Sequence, residues 1–488
     1  MPRPMPLSPS LPTDGLIVVA KRDCPTCTLI EPVYRELAGG GLPVSVYSQD
    51  DPGFPSNIKG VRDDRSLEAS FHLDVEIVPT LIRMEGGKEA GRRIGWHRGE
   101  WEELAGVRGL GKGLPAQQPG CGSKSVEPGV REQLLARFGG LLKARQIEVS
   151  PMEDPEEVCF ERGWTDGLPV VPPTDERVVR MLSGTRRDPQ EVVGLIPPNL
   201  AECTVEKVAI NAVMAGCKPE YMPVVLGVLE AALLPNFAMH GLLCTLYFSG
   251  PVVIINGPVA KRIGMNCGLN ALGQGNRANA AIGRTLQLII RNVGGGIPGG
   301  IDRAALGNPG KYTFCFAEDE SDPEWEPLSV WRGVPRGKSA VTLFHGDGVT
   351  AFVDHGARTP EELVRSMATS LVAVGHVKLA QWSNAILVLT PEHYRVFREA
   401  GWDRRRITDA LHDATTRPGR DLIKGAQGLH EGIDPKFADQ MVPKFWRDHG
   451  LMIVRAGGEA GMFSGIIGGW SAGRFHDDVQ PVTKEIVE

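Results

Sequence analysis

Two cysteines two residues apart, Cys24-Pro25-Thr26-Cys27, stand where a short apolar run gives way to a helical stretch. A thiol at a helix N-terminus faces unpaired amides and the positive end of the helix dipole. Both favour the thiolate and lower the thiol pKa to roughly 3.5–7.5. Pro25 suits the first helical position, where a missing amide costs little, and Cys27 falls one turn further in. This arrangement supports thiol–disulfide exchange: Cys24 attacks an oxidised sulfur, Cys27 resolves the mixed disulfide, and a redox-active Cys24–Cys27 disulfide is left. The same pair is half of a zinc site, but zinc needs two further ligands, and no second C-x-x-C or H-x-x-H occurs. No metal is expected.

Other residues invite chemistry less directly. Cys217 ends a helix at a glycine beside Lys218, which would favour its thiolate, and Cys121 sits in Pro119-Gly120-Cys121-Gly122-Ser123. Gly273-Gln274-Gly275-Asn276-Arg277 opens a helical run, Ala280 to Val293. Such a loop can hold a carboxylate or phosphate on free amides, with Arg277 adding charge. It lacks the strand before it and the later acid that a dinucleotide site requires. Asp166 in a Trp-Thr-Asp loop, the acidic and aromatic stretch from Glu318 to Trp325, and His345, Asp347, Asp354 and His355 across an expected hairpin form further clusters. Their spacing matches no metal-ligand motif.

The elements expected around the cysteine pair are a strand at Gly15 to Ala20, a helix from about Thr28 to Ala38 and a strand at Leu42 to Tyr47. A helix end at Ser66 to Phe71 follows. Two strands, Thr80 to Met84 and Glu89 to Ile94, flank a Gly86-Gly87 hairpin turn, and a closing helix spans Glu100 to Gly106. Ile77-Val78-Pro79-Thr80 opens the first hairpin strand. Residues 1–13 are expected to be a flexible tail and 14–108 a domain. Residues 109–129, rich in glycine, proline, serine and glutamine, are expected to be a linker, and 130–488 a large α/β domain with a seam near 335 that would make two lobes. In the large region, strands are expected at Val252 to Ile255, Ala340 to Phe344 and Ala385 to Leu389. Helices are expected at Arg131 to Arg145, Thr204 to Met214 and Pro360 to Val374.

Size and composition agree. A chain of 488 residues exceeds what one core supports. A net charge of −6 gives no reason to expect nucleic acid or an anionic membrane. No apolar run reaches the roughly 18 residues of a membrane span. Nine scattered cysteines suit a reducing cytoplasm better than a disulfide framework. A homo-oligomer is compatible with all of this.

Residues 14 to about 108 resemble the thioredoxin and glutaredoxin superfamily, on the Cys24-Pro25-Thr26-Cys27 pair and the Val78-Pro79-Thr80 segment. The resemblance implies Cys24 as nucleophile, Cys27 as resolving thiol and Pro79 as a cis proline beside them, with the Val78 backbone pairing with an extended substrate. Val18 stands where thioredoxins bury an acid that assists proton transfer. Residues 150–488 resemble a group of bacterial proteins, some joined to thioredoxin-like domains or grouped with selenoproteins carrying a U-G-S-C motif, of which Cys121-Gly122-Ser123 is a fragment.

The expected function is therefore thiol–disulfide oxidoreduction. The C-x-x-C domain would exchange electrons with the larger domain through Cys121 and act on a small molecule or a partner disulfide. The small molecule would sit at Gly273, Gly275, Asn276 and Arg277. The alternative is a non-redox lyase or hydrolase with the first domain as a docking or regulatory module.

Overall fold

The computed structural model describes residues 11–56, 58–381, 383–447, 450–459, 461–470 and 478–487. It is an α/β protein of two compact units, 1–143 and 144–488. The described residues 144–488 form one unit, with no division near 335. Residues 1–10 of the expected tail lie outside the described residues. Leu11 is not a tail residue but part of the first core.

The first unit runs β1 (Gly15–Ala20), α1 (Pro25–Leu29), α2 (Glu31–Ala38), β2 (Val44–Ser48), β3 (Arg62–Asp63), α3 (Glu68–His72), β4 (Ile77–Val78), β5 (Thr80–Glu85), β6 (Lys88–Ile94), β7 (Trp96–His97), α4 (Arg98–Ala105), β8 (Gln117–Gln118), β9 (Cys121–Gly122) and α5 (Val130–Phe138). Five strands form one sheet in the order β3-β2-β1-β5-β6. β1, β2 and β3 are parallel, and β5 and β6 antiparallel.

β1 is buried along its whole length, which is why it reads as an unbroken apolar run and not an alternating one. α2 buries Val33, Tyr34 and Leu37 on one face, and α4 buries Trp101 and Ala105. The Trp101 ring meets Trp96 edge-on at 5.4 Å between centroids, and its indole N–H donates to Gly95 O. Gly86 and Gly87 take positive φ in the hairpin turn, with the Gly86 amide donating to the Asp14 carboxylate at 2.8 Å.

The second unit is built on a seven-stranded mixed sheet. Its order is Cys315–Ala317, Gly250–Asn256, Ala340–Val353, Phe463–Trp470, Ser383–Leu389 and Leu451–Arg455, with Val482–Glu485 also paired to Ala340–Val353. The segment expected to be a hairpin at 345–355 is one strand, bulged between Gly346 and Val349. Gly348, at φ +129, absorbs the irregularity that reads in sequence as a turn. Helices Val205–Ala215 and Arg277–Asn292 pack against each other beside this sheet. Among the described residues no single helix is long and apolar enough to cross a membrane.

Candidate functional site

β1 ends at Ala20, and the chain turns at once into α1. Cys24 is the N-cap of that helix, in extended conformation, with Pro25 at the first helical position. The Cys27 amide donates to the Cys24 sulfur at 3.4 Å. The Cys24 thiol is held down at about 5. The Cys27 thiol, hydrogen-bonded to the Cys24 sulfur, is the largest cause. A hydrogen bond from Cys121 and the amides of Cys27 and Thr26 add to it against the cost of burial. Cys27 moves the other way: burial and the adjacent Cys24 sulfur push its thiol far above the ordinary range. Tyr34 is buried beside Cys27, and its phenol is pushed up as well, first by burial and then by the charge of Cys27. The two neighbouring thiols thus carry opposite shifts. Both are free thiols here, at 1% and 0% exposure.

The Val78–Pro79 peptide is cis, and the Val78 carbonyl oxygen lies 3.6 Å from the Cys24 sulfur. Thr80 turns its hydroxyl back to Ile77 O at 2.6 Å, which fixes the corner between β4 and β5.

The backbone of Val78 is not open to a partner. β4 pairs antiparallel with β9, Ile77 opposite Gly122 and Val78 opposite Cys121. β8 pairs with β7, Trp96 opposite Gln118. The Thr26 hydroxyl donates to Pro119 O at 2.6 Å, and the Ser123 amide donates to Glu76 O at 2.9 Å. The segment 109–129, expected to be a linker, thus belongs to the first unit and lies as a strap across the cysteine pair. Cys121 is half-buried, and its thiol is pushed up by burial and by Cys24. The structure therefore brings Cys24, Cys27, Cys121, Val78 and Pro79 together. The signal in sequence was the glycine before Cys121: at Gly120 a Cβ would come within 2.8 Å of Val78 O, so the close backbone approach leaves no room for a side chain.

The candidates of the second unit behave differently. Cys217 is not a thiolate: burial raises its thiol to about 12, and its partners are the Thr285 hydroxyl, 3.3 Å away, and the nearby charge of Arg277. Lys218 pairs instead with Glu220 at 3.6 Å. Arg277 is exposed and donates to Gly216 O at 2.8 Å, at the C-terminal end of the helix Val205–Ala215. Asn276 caps its own helix by accepting from the Asn279 amide, and its Nδ2 donates to Gly264 O. Gly273 sits against the Asn270 side chain, and Gly275 takes φ +114.

The acidic cluster is also structural. Glu318 pairs with Arg404 at 2.9 Å, both almost fully buried, and accepts from the Trp325 indole, Asn256 and the Leu328 amide. Asp166 makes a two-pronged pair with Arg284. His345 is buried, stacked on Phe237 and held neutral, its pKa lowered to about 4 by burial. Asp347 accepts from the Tyr247 hydroxyl at 2.6 Å. No group of three potential metal ligands is found among the described residues.

Ser464 Oγ lies 2.8 Å from His393 Nδ1 while His393 Nε2 meets Asp354 O, a nucleophile–base geometry, but both side chains are buried. A cavity of about 640 Å³ opens beside Gln381, Lys424 and Glu431; neither His393, Ser464 nor the Gly273 loop lines it.

Searched against protein-family models and curated proteins, the chain matches no model and no curated sequence.

Proposed function

We propose that the first unit is a thiol–disulfide oxidoreductase of thioredoxin-like construction, with Cys24 as nucleophile and Cys27 as resolving thiol. The observation that carries this reading is the opposed pair: one thiol lowered to about 5 at a helix N-cap, the other raised by burial one turn further in. The Cys24 thiolate attacks one sulfur of a substrate disulfide, whose S–S bond breaks and whose first sulfur leaves as thiolate. The Cys27 sulfur then attacks Cys24 in the mixed disulfide. The second substrate sulfur leaves with the electron pair and takes up the proton Cys27 gives up. The unit ends as a Cys24–Cys27 disulfide and the substrate as two thiols, the first sulfur having taken its proton from solvent.

The Val78 carbonyl 3.6 Å from the Cys24 sulfur and the sheet order of the unit support the same reading. Exchange with the second unit is the less supported half of the expectation. Cys159, Cys203, Cys217, Cys267 and Cys315 are all shifted upward, chiefly by burial.

Reduction of a small chromogenic disulfide by the full chain tests the proposal. Cys24→Ser should abolish turnover, and Cys27→Ser should leave Cys24 able to take up the first substrate sulfur while no Cys24–Cys27 disulfide forms. Unchanged turnover in Cys24→Ser would overturn it.

A further inference from the structure

An extended disulfide substrate is expected to pair with the Val78 edge, yet that edge carries the chain's own strand β9. The strap is fixed on both sides of Cys121. Pro119 O accepts the Thr26 hydroxyl on one side. On the other, the Ser123 amide donates to Glu76 O, and the Ser123 hydroxyl accepts from the Gln49 side-chain amide at 2.6 Å. Gly120 lies so close that a Cβ there would come within 2.4 Å of Ile77 Cγ2 and 2.8 Å of Val78 O. The register sets Cys121 opposite Val78, whose carbonyl oxygen lies 3.6 Å from the Cys24 sulfur, and the two thiols shift each other in opposite directions.

We propose that Cys121 is a third redox cysteine, seated on the Val78 edge in the place of a substrate sulfur, and that it closes a Cys24–Cys121 disulfide. This rests on the exchange chemistry proposed above and names its internal substrate.

A low-molecular-weight disulfide such as glutathione disulfide supplies the oxidation. The Cys24 thiolate attacks one of its sulfurs, the S–S bond breaks, and one glutathione leaves as thiolate and is protonated. Cys121 gives up its proton to solvent and attacks the Cys24 sulfur of the mixed disulfide. The second glutathione leaves with the electron pair and takes a proton. Two protein thiols have become one disulfide, and one glutathione disulfide has become two thiols. The first attack needs the strap lifted, because Cys24 is buried beneath it. The second needs the strap back in place. Cys27 can then attack the Cys24 sulfur, freeing Cys121 as a thiol and moving the disulfide to the interior pair.

The test treats reduced full-length protein with glutathione disulfide, then acid, alkylation and trypsin. In Cys27→Ser, and again in Cys27→Ala should the serine disturb folding, peptide 23–35 should be found linked to peptide 113–124. The link should exceed the Cys24–glutathione adduct several-fold. Adding Gly120→Val should cut the link about tenfold by forcing the strap off its seat. Glutathione retained on Cys24 with Cys121 open to alkylation, in a protein whose wild type forms Cys24–Cys27, overturns this proposal alone. Absence of any adduct or disulfide on Cys24 in every variant overturns both proposals.

Discussion

At the scale of the residue, the account turns on protons. Folded Cys24 ionises near 5, whereas an ordinary thiol ionises near 9. Between these values the unfolded chain binds the proton that the folded chain has released. Stability of the reduced protein therefore rises with pH across this window and is lost as pH falls through 5. The difference in denaturant midpoint between wild type and Cys24→Ser, measured under reducing conditions, should shrink steadily from pH 8 to pH 5. A difference constant over that range would contradict the assignment. The same stabilisation favours the reduced form over a Cys24–Cys27 disulfide, which makes the oxidised unit a stronger oxidant.

At the scale of the element, the strap decides access. Gly120→Val should raise the alkylation rate of Cys24 at neutral pH about tenfold, since overpacking by a side chain of that size costs on the order of 1–3 kcal/mol and opens the cover. A rate unchanged from wild type would mean that the strap does not gate the thiol. Sequence made β1, the Gly86-Gly87 hairpin and the helix behind Cys24 legible, because each is long enough to carry a periodic or turn signal. The strap was not legible. β4, β7, β8 and β9 are two residues each, too short for any alternation, and their partners lie up to 45 positions apart, as Ile77 and Gly122 do. The glycines and prolines that make 109–129 look like a linker are what let the backbone press against Ile77 and Gly95. In the Gly273 loop, Asn276 caps its own helix and Arg277 donates to Gly216 O, uses that composition does not separate from anion binding.

At the scale of the whole molecule, two units carry two kinds of polar cluster. In residues 144–488 three carboxylates that are largely shielded from solvent are paired with cations: Glu318 with Arg404, Asp166 with Arg284, Asp302 with Lys311 at 2.6 Å. Removing one member leaves a buried charge uncompensated, so Glu318→Ala should cost about 3–5 kcal/mol in denaturant unfolding of the full chain. Cys27, Cys121 and Thr26, the main groups that lower the Cys24 thiol, lie in the first unit, so that variant should leave Cys24 ionisation where it was. A changed Cys24 titration in Glu318→Ala would show that the second unit shapes the thiol.

The most direct test of the central claim is the pH titration of Cys24 in the full-length reduced protein. It is followed by thiolate ultraviolet absorbance and taken as the difference from Cys24→Ser. The account predicts a single inflection near 5. An inflection near 9, the ordinary thiol value, would contradict it.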